Sequence, residues 1–245
     1  MQSHTKKLNF TIIGTDTNVG KTVVSLLLMK YLCQLGYKPQ YLKPIQTGCL
    51  TPHDPDSDSL FVYKHIQHLK KCNPKDSVIY CIQPAKAPWF AARNTNTIID
   101  TTYLYQKIQS KLQDQNPVVL EAAGGLMVPV TENKLYIEVL SHIDSIPILV
   151  ARAGLGTINH TLLSIEALVN RNIVPAGVIL SNPLSVPNEM VDENAEAIEH
   201  FSNVRVMGIL KKIENFNTVS DKFLNIFEMC VSMLVSDCPF QEDNH

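Results

Sequence analysis

The segment Gly14–Thr22, which reads GTDTNVGKT, contains the residue types that bind phosphate groups. It follows the apolar run LNFTII and precedes a helical pattern that ends at Gly36. The backbone N–H groups of such a turn bind phosphate oxygens, Lys21 adds a positive charge, and the Thr22 hydroxyl is placed to bind Mg²⁺. The standard loop has four residues between its first Gly and the Gly-Lys pair, but Gly14 and Gly20 are separated by five. We therefore expect a phosphate loop of unusual length. The alternative is a turn that binds nothing, but packing alone explains poorly why Gly-Lys-Thr stands between a buried strand and a helix.

Further polar residues stand where other apolar runs end. In YLKPIQTG, Lys43 is a second candidate cation near the phosphates, because a Lys at the end of a buried strand is costly unless it reaches an anion or water. A Lys that extends to solvent is the alternative. Glu121 ends the run PVVLE and is expected to bind Mg²⁺. Asp58, in the polar loop 51–59, is either another oxygen ligand or a solvated loop residue.

Two segments later in the chain have weaker signals. In VARAGLGTINHTLLS a helix is expected to begin near Thr157, where free N–H groups and the Asn159 amide can receive a carboxylate. His160, in the first turn of that helix, is on its own more often a structural hydrogen-bonding residue than a catalyst. Asn182, in ILSNP, either contacts the polar edge of a purine or simply marks a turn before Pro183.

The elements that must position these residues form a repeating pattern. Continuous apolar runs alternate with helical patterns, as expected for parallel strands that are buried on both faces; the runs are LNFTII, QYLKP, PVVLEAAGG, IPILVA, IVPAGVIL and VRVMGIL. Seven of the ten glycines stand beside the carboxyl ends of these runs, where open α/β sheets bind ligands. We predict an α/β fold with a doubly wound, mostly parallel sheet and helices on both faces, similar to P-loop NTPases.

Composition limits the function classes. The 245 residues have a formal net charge of −2 and no basic stripe, so nucleic acid is not an expected partner. Neither a signal peptide nor a run of membrane-spanning length is seen, which predicts a cytoplasmic protein with no membrane partner. The six cysteines lack metal-ligand spacing, so we expect reduced thiols and no zinc. Residues 1–235 are expected to form one domain, and 236–245 a flexible tail.

Taken together, GTDTNVGKT, YLKPIQTG, DSDS, EAAGG, GLGTINHTLL and SNP resemble the dethiobiotin synthetase family in order and approximate spacing. The resemblance runs from about residue 8 to about residue 210, and that family has the longer Gly-x5-Gly-Lys-Thr loop. It implies an ATP- and Mg²⁺-dependent ligase of biotin biosynthesis, whose substrates are 7,8-diaminononanoate and CO2 or bicarbonate. In the family's reaction CO2 and one amine form a carbamate, which attacks the γ-phosphate of ATP. The mixed anhydride then closes on the second amine to give a cyclic urea and phosphate.

The resemblance also implies site residues and a homodimer with shared active sites. Lys21, Lys43 and Thr47 match the catalytic positions, and Thr22, Asp58 and Glu121 match the Mg²⁺ ligands. The nucleotide-binding set is Gly14, Thr15, Asp16, Thr17, Asn18, Val19, Gly20, Lys21, Thr22, Val23 and, for adenine, Asn182. The substrate-binding set is Thr47, Gly124, Gly156, Thr157, Ile158 and Asn159, of which the last four match a segment that holds the substrate's carboxylate from the neighbouring subunit.

Three positions depart from the family's pattern: Ala87-Pro88-Trp89 stands where Ser-Pro-His is frequent, Ala122 where Gly is common, and Lys211 where Pro often begins the adenine-side loop.

Different functions are compatible with the same fold. A partition-type switch ATPase normally has an additional Lys near the start of the loop, where this chain has Thr15-Asp16. A small-molecule kinase or a non-catalytic nucleotide-binding module would also be consistent with a phosphate loop in this fold.

Overall fold

The computed structural model describes residues 7–235, so the expected tail at 236–245 lies outside the described residues. Seven strands form one parallel sheet in the order β3-β2-β4-β1-β7-β8-β9, and β5 and β6 form a separate antiparallel pair. The strands are β1 (Phe10–Gly14), β2 (Gln40–Thr47), β3 (Val78–Ile82), β4 (Val118–Glu121), β5 (Pro129–Thr131), β6 (Lys134–Leu135), β7 (Ile146–Arg152), β8 (Gly177–Asn182) and β9 (Val206–Lys211).

Helices cover both faces of the sheet, as the sequence predicts. They are α1 (Lys21–Gln34), α2 (Asp58–His65), α3 (Pro88–Asn94), α4 (Thr101–Leu112), α5 (Tyr136–Leu140), α6 (Thr157–Val169), α7 (Asn188–Ser202), α8 (Asp221–Leu224) and α9 (Glu228–Val235). One core lies under α1, α2, α8 and α9, and the other under α3 to α7. The doubly wound fold is therefore confirmed.

The central strands are apolar without alternation because each is covered on two sides. All five residues of β1 and all four of β4 are buried. All six runs predicted as strands occur in the sheet. The edge strand β3, with sequence VIYCI, was not predicted, and neither was the β5–β6 pair.

The carboxyl ends of β1, β2, β4 and β7 lie along one edge of the sheet, which we call the carboxyl edge. Gly48, Gly124 and Gly156 follow these ends and have positive φ angles, a conformation that glycine adopts without strain. Among residues 7–235, no helix has both the length and the apolar character needed to cross a membrane. Cys33, Cys49, Cys72, Cys81 and Cys230 are free thiols, and Cys238 lies outside the described residues.

Candidate active site

The phosphate loop connects β1 to α1 at the centre of the sheet. Gly20 immediately precedes the helix with a φ of 101°, and Asn18 also lies in the left-handed region. A Cβ on Gly20 would lie 2.8 Å from Ser181 Oγ, and one on Gly14 would lie 2.9 Å from a methyl group of Val19. Both ends of the loop therefore require glycine, despite the extra residue between them.

Lys21 is buried at the start of α1 and turned towards the loop. Its Nζ donates to the carbonyl oxygen of Asp16 at 2.7 Å. Burial, and then the charge of Lys43, lower the pKa of Lys21 to about 8. An anion in the loop would offset both effects, so this lysine is placed to bind phosphate. Arg152, at the end of β7, holds the Asp16 carboxylate at 2.8 Å on the outer side of the loop.

Three oxygen atoms converge beside the loop. Thr22 Oγ1 lies 2.8 Å from Asp58 Oδ1 and 2.9 Å from Glu121 Oε1. A hydroxyl has one proton, so Thr22 can donate to only one of these carboxylates at a time. A hydroxyl and two carboxylates form the hard oxygen set that Mg²⁺ prefers, with waters and phosphate oxygens completing its octahedron. The donor set therefore fits the expected ion.

Lys43 neutralises the same two carboxylates. Its Nζ lies 2.7 Å from Asp58 Oδ2 and 2.7 Å from Glu121 Oε1. Burial alone would lower the pKa of Lys43, but the two carboxylates outweigh it and raise the pKa above its ordinary value. Burial likewise opposes ionisation of Asp58, yet Lys43 and Thr22 hold its pKa below the usual value. The lysine is thus firmly cationic and does not extend to solvent.

Two further hydroxyl groups lie within hydrogen-bond distance of the second oxygen of Glu121. Tyr41 Oη donates to Oε2 at 2.7 Å, and Ser25 Oγ lies 3.0 Å from the same atom. Sequence reasoning missed both residues. The signals were present, since Tyr41 precedes Lys43 by two on a strand and Ser25 follows Lys21 by four on a helix, spacings that place each pair on one face.

Asp58 is the first residue of α2, not a loop residue as the sequence suggested. Ser57 caps this helix by accepting the Leu60 N–H at 3.4 Å, so the loop ends one residue before Asp58. A carboxylate in the first turn also interacts favourably with the positive end of the helix. The helix thereby fixes the backbone of a candidate metal ligand.

Most of the predicted site residues line one cleft of about 440 Å³ at the carboxyl edge. Its lining includes Thr17, Asn18, Gly20, Lys21, Thr22, Val23, Lys43, Thr47, Asp58, Glu121 and Gly124. A neighbouring cleft of about 660 Å³ is lined by Thr15 and Asp16 together with Met127, His160 and Leu163. The phosphate loop thus separates a charged cleft from a more apolar one.

Asn182 ends β8, as expected, but its amide is partly engaged in its own turn. Its Nδ2 donates to the Val186 carbonyl at 3.0 Å, and its Oδ1 accepts the Val186 N–H at 2.8 Å. An Asn amide has a second N–H and a second lone pair, so one donor and one acceptor remain for a purine. Lys211 pairs with Asn182 across β8 and β9 and is exposed.

The segment Gly156–Asn159 is separate from the charged cleft. Helix α6 begins at Thr157, as predicted, and the Thr157 hydroxyl is buried 3.3 Å from that of Thr161. Gly156 and Asn159 are exposed and do not line the 440 Å³ cleft. Within one chain, this part of the predicted site is therefore not assembled with the rest.

Trp89, where the family pattern often has His, belongs to a small aromatic group. Pro88 begins α3, the Trp89 ring stacks on Phe90 with centroids 4.8 Å apart, and the Arg93 guanidinium lies 5.7 Å from the Trp89 ring. These contacts explain how the side chain packs, but they assign it no chemical role.

Comparison with known proteins gives matches over most of the chain. A family model described as an AAA domain matches residues 9–220. The ATP-dependent dethiobiotin synthetase BioD of Haloferax mediterranei is 39% identical over 175 residues, which is 71% of each protein. That of Halalkalibacterium halodurans is 32% identical over 217 residues, covering 86% of this chain and 87% of the relative. The bifunctional protein BioCD of Bordetella avium is 39% identical over 203 residues, but these cover only 39% of its length.

Solved structures with low sequence identity share the fold. A putative plasmid partition protein from Borrelia burgdorferi, bound to AMPPNP, has a TM-score of 0.60 at 12% identity, covering 93% of this chain and 100% of its own. The MinD cell division protein of Aquifex aeolicus has a TM-score of 0.57 at 14% identity, covering 92% and 97%. At these identities the likeness concerns the fold alone. The identities to the BioD proteins and the extent of the family match show that this chain belongs to the dethiobiotin synthetase family, within the AAA-domain group.

Proposed function

We propose that this protein is an ATP- and Mg²⁺-dependent dethiobiotin synthetase. It would convert 7,8-diaminononanoate and CO2 to dethiobiotin, with release of ADP and phosphate. The observation that supports this most directly is the meeting of Lys21, Lys43, Thr22, Asp58 and Glu121 in one cleft, in a chain that is 32 to 39% identical to BioD proteins. The proposal includes one catalytic domain over residues 1–235 and a cytoplasmic location.

The chemistry needs neutralisation of phosphate charge and alignment of the attacking oxygen more than it needs covalent help. In this proposal the loop N–H groups and Lys21 bind the phosphates of ATP. Lys43 and Thr47 face the γ-phosphate and the carbamate, whose oxygen attacks the phosphorus as ADP leaves. Asn182 contacts adenine. When bound, Mg²⁺ would neutralise part of the charge on the phosphate oxygens, with Thr22, Asp58 and Glu121 as its protein ligands.

Lys43 then has two tasks. It contacts the two carboxylates at 2.7 Å, and its side chain must turn to reach a γ-phosphate and a carbamate. A cation between the carboxylates competes with the ammonium for the same oxygens. Lys43 would reach the reacting oxygen only when its ammonium leaves these carboxylates, whose oxygens would also hold Mg²⁺.

A homodimer with shared sites is also part of the proposal. Gly156 and Asn159 are exposed and lie outside the charged cleft, so they are accessible to a second copy. Beside them Leu155 is 91% exposed, and Met127 and Leu163 are more than half exposed. Apolar side chains next to a helix start suit an interface in which the substrate's carboxylate binds to α6 of the partner.

The enzymatic proposal is tested by supplying purified protein with ATP and Mg²⁺ and measuring phosphate release while diamine and bicarbonate are omitted in turn. We expect release only when both are present, and one dethiobiotin per phosphate by mass spectrometry. ATP hydrolysis that is independent of the diamine would instead indicate a switch ATPase. Binding of ATP with no hydrolysis under any condition would indicate a non-catalytic module.

The shared site is tested by mixing two variants. Asn159→Asp places a negative charge against the substrate's carboxylate, which we expect to cost roughly 1 to 3 kcal/mol of substrate binding, seen as a raised KM for the diamine. Lys21→Ala removes the positive charge that faces the phosphates. Heterodimers place both lesions in one site and leave the other intact, so activity should return on mixing. Heterodimers that form but show the raised KM of Asn159→Asp, and not the wild-type KM, would contradict a shared site.

A further inference from the structure

The hydrogen bonds around Glu121 divide its two oxygens between different partners. Oε1 faces Thr22 and Lys43, whereas Oε2 faces Tyr41 and Ser25. Glu121 is 1% exposed, so these partners define nearly all of its surroundings. Only Oε1 lies next to another candidate metal ligand. The arrangement therefore presents one carboxylate oxygen to the cleft and turns the other into the protein.

The two donors to Oε2 are not equivalent. Ser25 Oγ lies 3.0 Å from Oε2 but also 2.9 Å from the carbonyl oxygen of Lys21. Its single proton can serve only one of these acceptors at a time. Tyr41 Oη makes a shorter contact of 2.7 Å with Oε2, and the tyrosine is buried. Tyr41 is therefore the donor that can remain committed to Oε2.

The charge of the acceptor strengthens the hydrogen bond from Tyr41. Tyr41 is 3% exposed, and its hydroxyl donates to Oε2 at 2.7 Å. A hydrogen bond from a neutral donor to a buried carboxylate is among the stronger ones in proteins. It restrains rotation of the Glu121 carboxylate about its terminal bond.

We propose that Tyr41 is a positioning residue of the metal site: by holding Oε2, it makes Glu121 offer Oε1 alone to Mg²⁺. This inference rests on the Mg²⁺ site of the proposed function. Tyr41 does not touch the ion or the substrates. It acts through Glu121, in the way that partners of metal ligands generally orient them and tune their affinity. Without the Tyr41 hydroxyl, the carboxylate can rotate and exchange its oxygens between Lys43 and Ser25.

The test uses Mn²⁺ as a paramagnetic probe of the site. Free Mn²⁺ is measured by electron paramagnetic resonance during titration of the whole protein with a non-hydrolysable ATP analogue present. We expect Tyr41→Phe to weaken Mn²⁺ binding by about 10- to 100-fold. Ser25→Ala should have a smaller effect, because its proton is shared. In turnover assays, Tyr41→Phe should raise the KM for Mg²⁺ while kcat at saturating Mg²⁺ changes little.

Tyr31→Phe is the matched control. Tyr31 is another buried tyrosine, but it lies near the end of α1 and packs against Phe227. The control should bind Mn²⁺ like the wild type, and thermal unfolding verifies that both variants fold. Equal Mn²⁺ affinities for Tyr41→Phe and Tyr31→Phe would overturn the inference while leaving the metal site in place. Failure of the wild type itself to bind Mn²⁺ with nucleotide would overturn both the metal site and the inference.

Discussion

Replacing Lys43 by Met tests whether this lysine and a divalent cation share the same oxygens. The substitution keeps an unbranched side chain that is one atom shorter and removes the charge that lies 2.7 Å from both Asp58 and Glu121. Removing one partner from a buried ion pair costs about 3 to 5 kcal/mol. Asp58 is 28% exposed and so retains some hydration, which favours the lower end. For a chain of this size, about 3 kcal/mol corresponds to a fall in Tm of roughly 6 to 12 °C.

Mg²⁺ should reverse much of that loss in the variant. At a concentration 100 times its Kd, a ligand that binds only the folded state stabilises it by about 2.7 kcal/mol. In the wild type without nucleotide the ion must displace Lys43, so its effect on Tm should be much smaller. Differential scanning calorimetry with and without Mg²⁺ measures both shifts, and Lys64→Met, at an exposed position on α2, is the control. Equal Mg²⁺ shifts in the wild type and Lys43→Met would refute competition for these oxygens.

Two further predictions concern Lys21 and Cys230. Lys21→Ala should lower kcat by at least about 100-fold, as loss of one charge-stabilising donor does. Its Tm at pH 7 should be unchanged or raised, because the pKa of Lys21 is lowered to about 8 and the folded state therefore disfavours its charge; a marked fall in Tm would contradict this. Burial raises the pKa of Cys230 from 9.0 to about 11, so between these values the unfolded chain loses the proton first and stability falls as pH rises. In urea unfolding between pH 8 and 11, the free energy of unfolding of Cys230→Val should fall by up to about 2 to 3 kcal/mol less than that of the wild type. An unchanged pH dependence would mean that the thiol does not contribute.

Apolar runs predict every strand of this sheet except β3, which lies at one edge; the other edge strand, β9, is predicted by the run VRVMGIL. Strands such as β1 and β4 are buried on both faces, so nearly all of their residues are apolar; the polar ones are Thr11 and Glu121. Strand β3 has only one neighbour, and four of its five residues are partly exposed, which leaves a short mixed run that resembles a loop. The β5–β6 pair is shorter still, and its pairing depends on the turn between the strands.

For the site, residue types and positions were predictable, but pairings were not. Glu121 is recognisable as a polar residue at a strand end, whereas Lys43 lies inside β2 and not at its end as the sequence suggested. Their contact follows from β2 lying beside β4, an order that no local pattern contains. The same adjacency, with Leu42 opposite Leu120, brings Tyr41 to Glu121. Asn182 was predicted as an adenine contact, and its turn with Val186 could not be foreseen, because Asn-Pro predicts a turn without giving its hydrogen bonds.

The steric limits at the two ends of the phosphate loop determine how this loop can evolve. A side chain at position 20 would meet Ser181 on β8, and one at position 14 would meet the loop's own Val19. The ends are thus fixed by different neighbours, whereas Asp16 and Thr17 between them are exposed. Sequence drift, or a designed library aimed at another phosphate ligand, has its freedom in the middle of the loop. Every such variant must keep a small residue at position 181, although that position lies 161 residues after Gly20 in the chain.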